Sequence, residues 1–168
     1  MTTAAAPIED AVAGYAPHEH RPLGAYTGLT LAFGVALGGA LAALRAGGRD
    51  LPEHVSLGDL ALAGVATHKV TRLVAKDKVT SFIRAPFTRF QEPAGHGELD
   101  EAARGTGTRF AIGELLVCPY CLAQWVAAGF AVGLVAAPRT TRFVAGMYAA
   151  ETVSDFLQLA YKAAEDRA

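Results

Sequence analysis

Two stretches without a charged side chain decide the fold: LGAYTGLTLAFGVALGGALAAL at residues 23–44 and LLVCPYCLAQWVAAGFAVGLVAAP at residues 115–138. The chain carries 15 Lys plus Arg and 16 Asp plus Glu, yet none falls in either run. A bilayer core of about 30 Å is crossed by about 20 helical residues. Both runs therefore predict membrane-spanning helices, and the alternative is a pair of buried helices in a soluble protein.

The composition excludes several classes of protein. With a net charge of -1 in 168 residues, the chain is not a strongly basic nucleic-acid binder. Because 52% of the residues are hydrophobic and only 18% are charged, it is not a disordered chain. Two cysteines are too few for a disulfide scaffold.

The N-terminal tail, residues 1–22, is expected to be flexible. Glu9, Asp10 and Glu19 precede the first run and Arg21 is the one fixed positive charge, so the tail lacks the basic start of a signal peptide. Residues 23–168 then form one helical domain.

Two further segments, residues 55–76 and 140–161, are apolar but carry charges and also have helical composition. Ser56 is expected to cap the first of them, with Asp59 three residues on. The predicted fold class is all-α, an integral membrane bundle of about four helices with an interfacial cytoplasmic loop.

The charges of these two helices are segregated by sign. On helical spacing, His68, Lys69 and Arg72 share one side of the first helix, and Glu151 and Asp155 share one side of the second. Because charges in lipid are costly unless paired, we expect pairs of Arg72 with Asp155 and of His68 or Lys69 with Glu151. The alternative is two amphipathic helices that lie on a membrane surface.

The central loop, residues 77–114, is the most basic section and is predicted to be cytoplasmic. Residues 94–108 within it are Gly-rich and acidic and are expected to form a solvated, mobile excursion. With four spans both termini are cytoplasmic, and with two they lie outside. In the four-span topology, nine Lys and Arg lie inside (Arg21, Lys76, Lys78, Arg84, Arg89, Arg104, Arg109, Lys162, Arg167) and four outside (Arg45, Arg49, Arg139, Arg142).

Aromatic and basic residues alternate at the start of this loop. Such interleaving suits either the stacking of nucleic-acid bases or a membrane interface, where rings and guanidinium groups meet lipid headgroups. Next to a predicted span the interface is favoured. The residues concerned are Phe82, Arg84, Phe87, Arg89 and Phe90.

Cys118-Pro119-Tyr120-Cys121 is the one motif with direct chemical meaning. A thioredoxin-like fold would place it between a strand and a helix, whereas here it lies in an apolar run. Pro119 suits a first helical turn, where a thiol pKa is lowered, so a redox pair stays open. The pair could instead supply half of a zinc site, or pack helices as two small buried side chains, and at a cytoplasmic end the thiols would be reduced.

Small residues four apart recur in both charge-free runs, at Gly34 and Gly38 and at Gly129 and Gly133. Such pairs let helix backbones approach closely, so they indicate helix packing or dimerisation. No phosphate-binding loop, His-Glu-x-x-His or Gly-x-Ser-x-Gly motif is present in the sequence.

Several short motifs occur in a specific order: Ser56-Leu57-x-Asp59-Leu60, ATHKVTRLV at residues 66–74, Arg84-Ala85-Pro86-Phe87, and Cys118-Pro119-Tyr120-Cys121-x3-Trp125. Together they resemble the small bacterial proteins grouped as domain-of-unknown-function family 1360, over residues 56–161. The resemblance implies a mostly membrane-embedded bacterial protein, and some members are described as sporulation proteins. It supplies no catalytic residues.

The resulting functional expectation is a structural or interaction component of the bacterial envelope, more a non-enzyme than an enzyme. The lipid bilayer, a second copy of the chain or another membrane protein are the expected partners, and nucleic acid is not. No cofactor is predicted, zinc being the alternative. A thiol-active or metal-dependent membrane protein using Cys118 and Cys121 is the second hypothesis, and a small transporter or channel subunit is the third.

Overall fold

The computed structural model describes residues 14–16, 18–19 and 21–167, so the predicted flexible tail lies largely outside the described residues. The mostly helical character is confirmed, and a small sheet accompanies it. The elements of the described chain are α1 (Leu23–Ala46), α2 (Leu57–Ala75), α3 (Ser81–Arg84), β1 (Thr88–Gly95), β2 (Glu98–Ala103), α4 (Gly107–Val117), α5 (Pro119–Ala136) and α6 (Pro138–Glu165).

Local sequence signals set where the helices begin. The Ser56 hydroxyl accepts a hydrogen bond from the Asp59 amide (3.0 Å), so the predicted cap of α2 is confirmed. The second charge-free run is not one helix, because α4 ends at Val117 and α5 begins at Pro119. Cys118 between them is extended, since a residue that precedes proline is pushed out of the helical region.

The central loop contains an antiparallel hairpin that was not predicted. Strands β1 and β2 pair from Thr88 with Ala103 to Gly95 with Glu98, and the turn at His96 and Gly97 has positive φ at both residues. A two-residue turn of this kind matches the twist of the strands. Residues 94–108, expected to form a mobile excursion, thus contain the turn and strand β2, whose pairing with β1 has register shifts between Phe90 and Glu92 and between Pro93 and Gly95.

The hairpin folds back onto the end of α2. The Lys78 amide donates to the Gly97 carbonyl (2.9 Å), and the Leu99 amide donates to the Lys76 carbonyl (2.8 Å). Helix α4 packs against the other side of the hairpin at Gly113, where an added Cβ would lie 2.5 Å from the Phe87 carbonyl oxygen. Glycine is thus required at this close approach.

The four long helices alternate in direction. Arg21, just before α1, pairs with Glu114 of α4 (3.1 Å), and Arg49, just after α1, donates to the Val135 carbonyl at the end of α5 (3.2 Å). Helices α1 and α5 therefore run parallel. Arg142 pairs with Asp59 (2.7 Å), so α2 and α6 start together and run the opposite way. We call the end that holds the hairpin and residue 21 the hairpin end, and the end that holds residues 47–56 and 137 the short-loop end.

Helices α1 and α5 are the two described helices long and apolar enough to cross a membrane. Their mean hydropathies are 1.8 and 1.5, and only 6% of each apolar window is buried inside the protein. A core helix of a soluble protein would be mostly buried, so the alternative of two buried soluble helices does not describe them. Large apolar side chains such as Leu31 and Val35 instead face outward.

Candidate functional site

Arg84 is the most buried charged residue of the described chain and lies between α2 and the hairpin. Its side chain is 0% exposed, and its guanidinium forms an ion pair with Glu101 of β2. The same group donates to the Val74 carbonyl (2.7 Å), the Thr80 hydroxyl (3.0 Å) and the Asp77 carbonyl (2.9 Å). It thereby satisfies carbonyl groups that a helix end leaves unpaired.

This geometry corrects the prediction that Arg84 meets lipid headgroups. A guanidinium that is enclosed and fully bonded within the protein does not reach the headgroups. The neighbouring side chains are placed differently, because Phe82 and Phe90 are exposed by 72% and 58%, Arg89 is exposed and Phe87 is half-buried. Four of the five residues in the predicted interfacial set thus remain at least partly accessible at the hairpin end.

A second charged cluster joins α2 to α6. The Lys69 ammonium lies 2.6 Å from an Asp155 carboxylate oxygen and 3.2 Å from Glu151. His68 instead stacks its ring on Phe156, with 6.3 Å between ring centroids. Among the described residues, Lys69 is therefore the cation that pairs with both predicted carboxylates.

The predicted pair of Arg72 with Asp155 is wrong. Arg72 lies three residues closer to the hairpin end and donates three hydrogen bonds to Glu98 of β2, one from Nε at 2.9 Å and two from Nη2 at 2.6 and 2.5 Å. Lys76 similarly reaches Asp100 at 2.8 Å. The hairpin thus supplies the carboxylates for the last two turns of α2, which leaves the carboxylates of α6 to Lys69.

Three of the four predicted packing glycines make no close helix contact in the described chain. A Cβ added at Gly34, Gly38 or Gly129 would meet nothing within 4 Å. Only Gly133 is approached, with the Thr141 side chain 2.8 Å from such a Cβ. Gly34, Gly38 and Gly129 therefore do not hold the helices of one chain together.

Cys118 and Cys121 are joined in a disulfide at the first turn of α5. The Cys121 amide donates to the Cys118 sulfur (3.2 Å), and Pro119 occupies the first helical position. Cys118 is half-buried and Cys121 is exposed, so the alternative of two buried packing side chains does not describe them. The extended conformation before Pro119 brings both sulfurs to one side of the helix start.

The disulfide borders a cavity of about 840 Å³ between α1, α4 and α5. Glu114 lines this cavity and accepts hydrogen bonds from the Tyr26 hydroxyl and from Arg21. Contacts with Tyr26 and Glu19 raise the pKa of the Arg21 guanidinium above its ordinary value. The disulfide and a carboxylate held in place by two donors therefore line the same cavity.

No group of three or more metal-ligating side chains occurs among the described residues. The pair at residues 118 and 121 is thus not part of a cluster of three such ligands in the part of the chain that the structure describes.

Sequence reasoning missed four carboxylates that complete these clusters: Glu98, Asp100, Glu101 and Glu114. The first three lie in ELDEAA at residues 98–103, where alternation is limited to Glu98-Leu99-Asp100 and is too short to predict a strand. Glu114 immediately precedes the second charge-free run. A lone carboxylate at the end of an apolar run was the available signal for a paired charge.

The class of protein that these observations define is a mostly helical one, with two helices long and apolar enough to cross a membrane. Residues 62–161 match the family described as "Protein of unknown function (DUF1360)". The match covers more than half of the chain, and the protein belongs to this family. No curated protein and no solved structure matches the chain. The matched region includes the Arg84 cluster, Lys69 and the disulfide but not α1.

We expect removal of either partner of the buried pair to unfold the hairpin end. Arg84→Gln or Glu101→Gln should cost about 3–5 kcal/mol of unfolding free energy, because each leaves one buried charge without its counterion. Thermal unfolding of the purified protein in detergent measures the effect. The matched control is Arg89→Gln, an exposed arginine of the same segment, which should change stability by less than about 0.5 kcal/mol. Equal losses in all three variants would contradict the assignment.

The charge cluster between α2 and α6 can be tested by double-mutant cycles. Lys69→Met with Asp155→Asn should show a coupling of about 0.5–3 kcal/mol, because the two side chains touch. Arg72→Met with Asp155→Asn should be additive within about 0.5 kcal/mol. Chemical denaturation of the four variants of each cycle gives both values. Strong coupling in the second cycle alone would reinstate the Arg72 pairing.

Proposed function

We propose that this protein is a four-pass integral membrane protein that acts as a structural or interaction component of the bacterial cell envelope. The observation that carries the proposal is the outward apolar surface of α1 and α5, of which only 6% is buried within the protein. Exposed apolar surface on this scale calls for lipid or a protein partner to cover it. A structural role fits because Lys69, Arg84 and Arg142 form ion pairs that join one element to another.

The direction of the helices supports four crossings over two. Because α1 and α5 run parallel, a chain in which both span must return between them. Helix α2 runs the opposite way and lies between them in sequence, and α6 repeats that direction after α5. The charges of α2 and α6 are paired across their shared face, as charges at membrane depth need to be.

The distribution of basic residues supports a cytoplasmic hairpin end. Nine Lys and Arg belong to the tail, the central segment and the C-terminal part of α6, against four at the short-loop end. An excess of this kind orients short loops toward the cytoplasm. The exposed Phe82 and Phe90 then lie at the inner face of the membrane, where aromatic rings are favoured.

At that inner face, the hairpin end is the platform that we propose for a partner in an envelope process such as sporulation. Its ion pairs hold the hairpin rigidly against α2, while Phe82 and Phe90 remain uncovered. A rigid surface with exposed rings suits recognition of another membrane protein.

Topology is the experiment that tests the proposal most directly. In a chain with Cys118→Ser and Cys121→Ser, single cysteines are placed at positions 50, 100 and 165 and labelled in intact cells with a membrane-impermeant maleimide. We expect labelling at position 50 only, because residues 100 and 165 belong to the hairpin end. Permeabilised cells, in which all three should react, are the control.

Labelling of positions 50 and 100 from the same side would contradict the four-pass arrangement. Labelling of position 100 alone in intact cells would reverse the orientation. A photoreactive residue at position 90 that crosslinks to no protein in cells would contradict the interaction role while leaving the topology intact.

A second candidate function, thiol–disulfide exchange, is favoured by the place of the disulfide, because a disulfide at a cytoplasmic hairpin end, where thiols are kept reduced, is typically transient and catalytic. Cys121 is exposed. The Cys118 sulfur accepts a hydrogen bond from the Cys121 amide at the start of α5, and a thiolate is stabilised at such a helix start. An incoming thiolate of a substrate dithiol would attack Cys121, and the Cys118–Cys121 bond would break with Cys118 leaving as a thiolate that then takes up a proton. The second substrate thiolate would attack the mixed disulfide, so the substrate is oxidised and Cys121 is released.

Trapping of the mixed disulfide tests this chemistry. With oxidised glutathione, Cys118→Ser should form a mixed disulfide at Cys121 several-fold faster than Cys121→Ser forms one at Cys118, because Cys121 is more accessible. Mass spectrometry of the quenched protein follows the reaction. A wild-type reduction potential below about −300 mV would instead mark the bond as structural.

A further inference from the structure

We propose that a cavity at the short-loop end binds an apolar, lipid-sized molecule that carries one hydrogen-bonding oxygen. The cavity has a volume of about 930 Å³ and lies between α1, α2 and α5. Leu37 and Leu41 of α1, Leu60 and Ala63 of α2, and Ala131 and Val135 of α5 are among its walls. This volume is within the range of pockets that enclose small organic ligands.

Thr67 gives the cavity its polar feature. The residue lines the cavity and is more than nine-tenths buried, with 8% of its surface exposed. Its hydroxyl is the buried side-chain polar atom of the described chain that has no hydrogen-bond partner. A buried hydroxyl normally has a partner, so this one indicates that the partner is a group outside the chain.

The position of Thr67 sets the length of the site. Thr67 lies ten residues after Leu57, which is about 15 Å along α2 from the helix start. Between these two residues the cavity walls are largely apolar, and its charged residues gather where α2 and α6 begin. There Asp59 is already paired with Arg142 at 2.7 Å. An elongated apolar space with one inner hydroxyl fits a hydrocarbon chain with an alcohol or carbonyl oxygen better than it fits an ion.

Water is a poor occupant of the inner part of the cavity. A buried water needs two to four polar partners, and Thr67 offers a single hydroxyl among aliphatic side chains. An apolar ligand would gain the free energy of removing its surface from water and would also satisfy Thr67. This inference goes beyond the proposed envelope role, and its test does not require the four-pass topology.

Photolabelling of the purified full chain in detergent tests the proposal. Two probes are compared, a diazirine-bearing hexadecanol and the matched diazirine alkane without the hydroxyl. We expect the alcohol to label residues of α2 and α5 that line the cavity. Thr67→Val should reduce labelling by the alcohol by about two- to tenfold, the effect of one neutral hydrogen bond, and leave the alkane unchanged. Thr67→Ser should retain labelling by the alcohol.

A steric pair of variants separates the cavity from detergent partitioning. Ala63→Phe fills the cavity and should abolish labelling by both probes, whereas Ala61→Phe, on the exposed side of α2, should not. Circular dichroism of both variants checks that they fold. Equal labelling of the wild type, Thr67→Val and Ala63→Phe would overturn the proposal, as would labels confined to the outer surface of α1.

Discussion

A guanidinium group that is sealed from solvent must find partners for its charge and for its N–H donors, and Arg84 imposes this constraint on the whole hairpin end. Desolvation of such an ion costs several kcal/mol, which only close and well-directed partners recover. Glu101 supplies the counter-charge, and the Val74 and Asp77 carbonyls take further donors. Because those partners belong to α2 and β2, burial of one side chain fixes the hairpin against the helix.

The same constraint explains why the Gly-rich loop is structured. Besides Glu101, strand β2 supplies the carboxylates of Glu98 and Asp100. Glu98 pairs with Arg72, and Asp100 pairs with Lys76. Three ion pairs thus join strand β2 to Arg72 of α2, to Lys76 at the C-terminal cap of α2 and to Arg84 of α3. Each exposed ion pair contributes little to stability on its own. Because the buried Arg84–Glu101 pair already orders the hairpin, the exposed pairs form without a further large cost in chain entropy.

The helices and the family could be predicted from the sequence because their signals are local. Each charge-free run is continuous in sequence, and the Ser56 cap depends on residues three apart. Each short motif of the family is likewise made of neighbouring residues. The Arg84 cluster could not be predicted in this way, because its partner Glu101 is brought close only by the hairpin register. Lys69 and Arg72 lie less than one helical turn apart. A comparison of how far each residue lies from the end of its helix therefore could not decide which of them faces Asp155. Pro119, by contrast, carried a local signal for the break that divides the second run.

Polar contacts join the long helices α2 and α6. Between α2 and α6 they recur along the shared face: Asp59 with Arg142, the Val65 carbonyl with Thr152, and Lys69 with Asp155. In a bilayer, lipid is as apolar as leucine, so contacts of this kind specify which helices associate.

Helix α1 is attached differently, since its described polar contacts with the rest of the chain lie at its two ends. At one end Arg21 and Tyr26 donate to Glu114, and at the other Arg49 donates to the end of α5. Between those ends, Phe33 meets Trp125 edge-on at 5.2 Å. The family match begins at residue 62, after α1, and the ion pairs of α2, the hairpin and α6 are made without it. The protein is therefore best understood as a module of α2 to α6 to which α1 adds the outer wall of the cavity that contains Thr67.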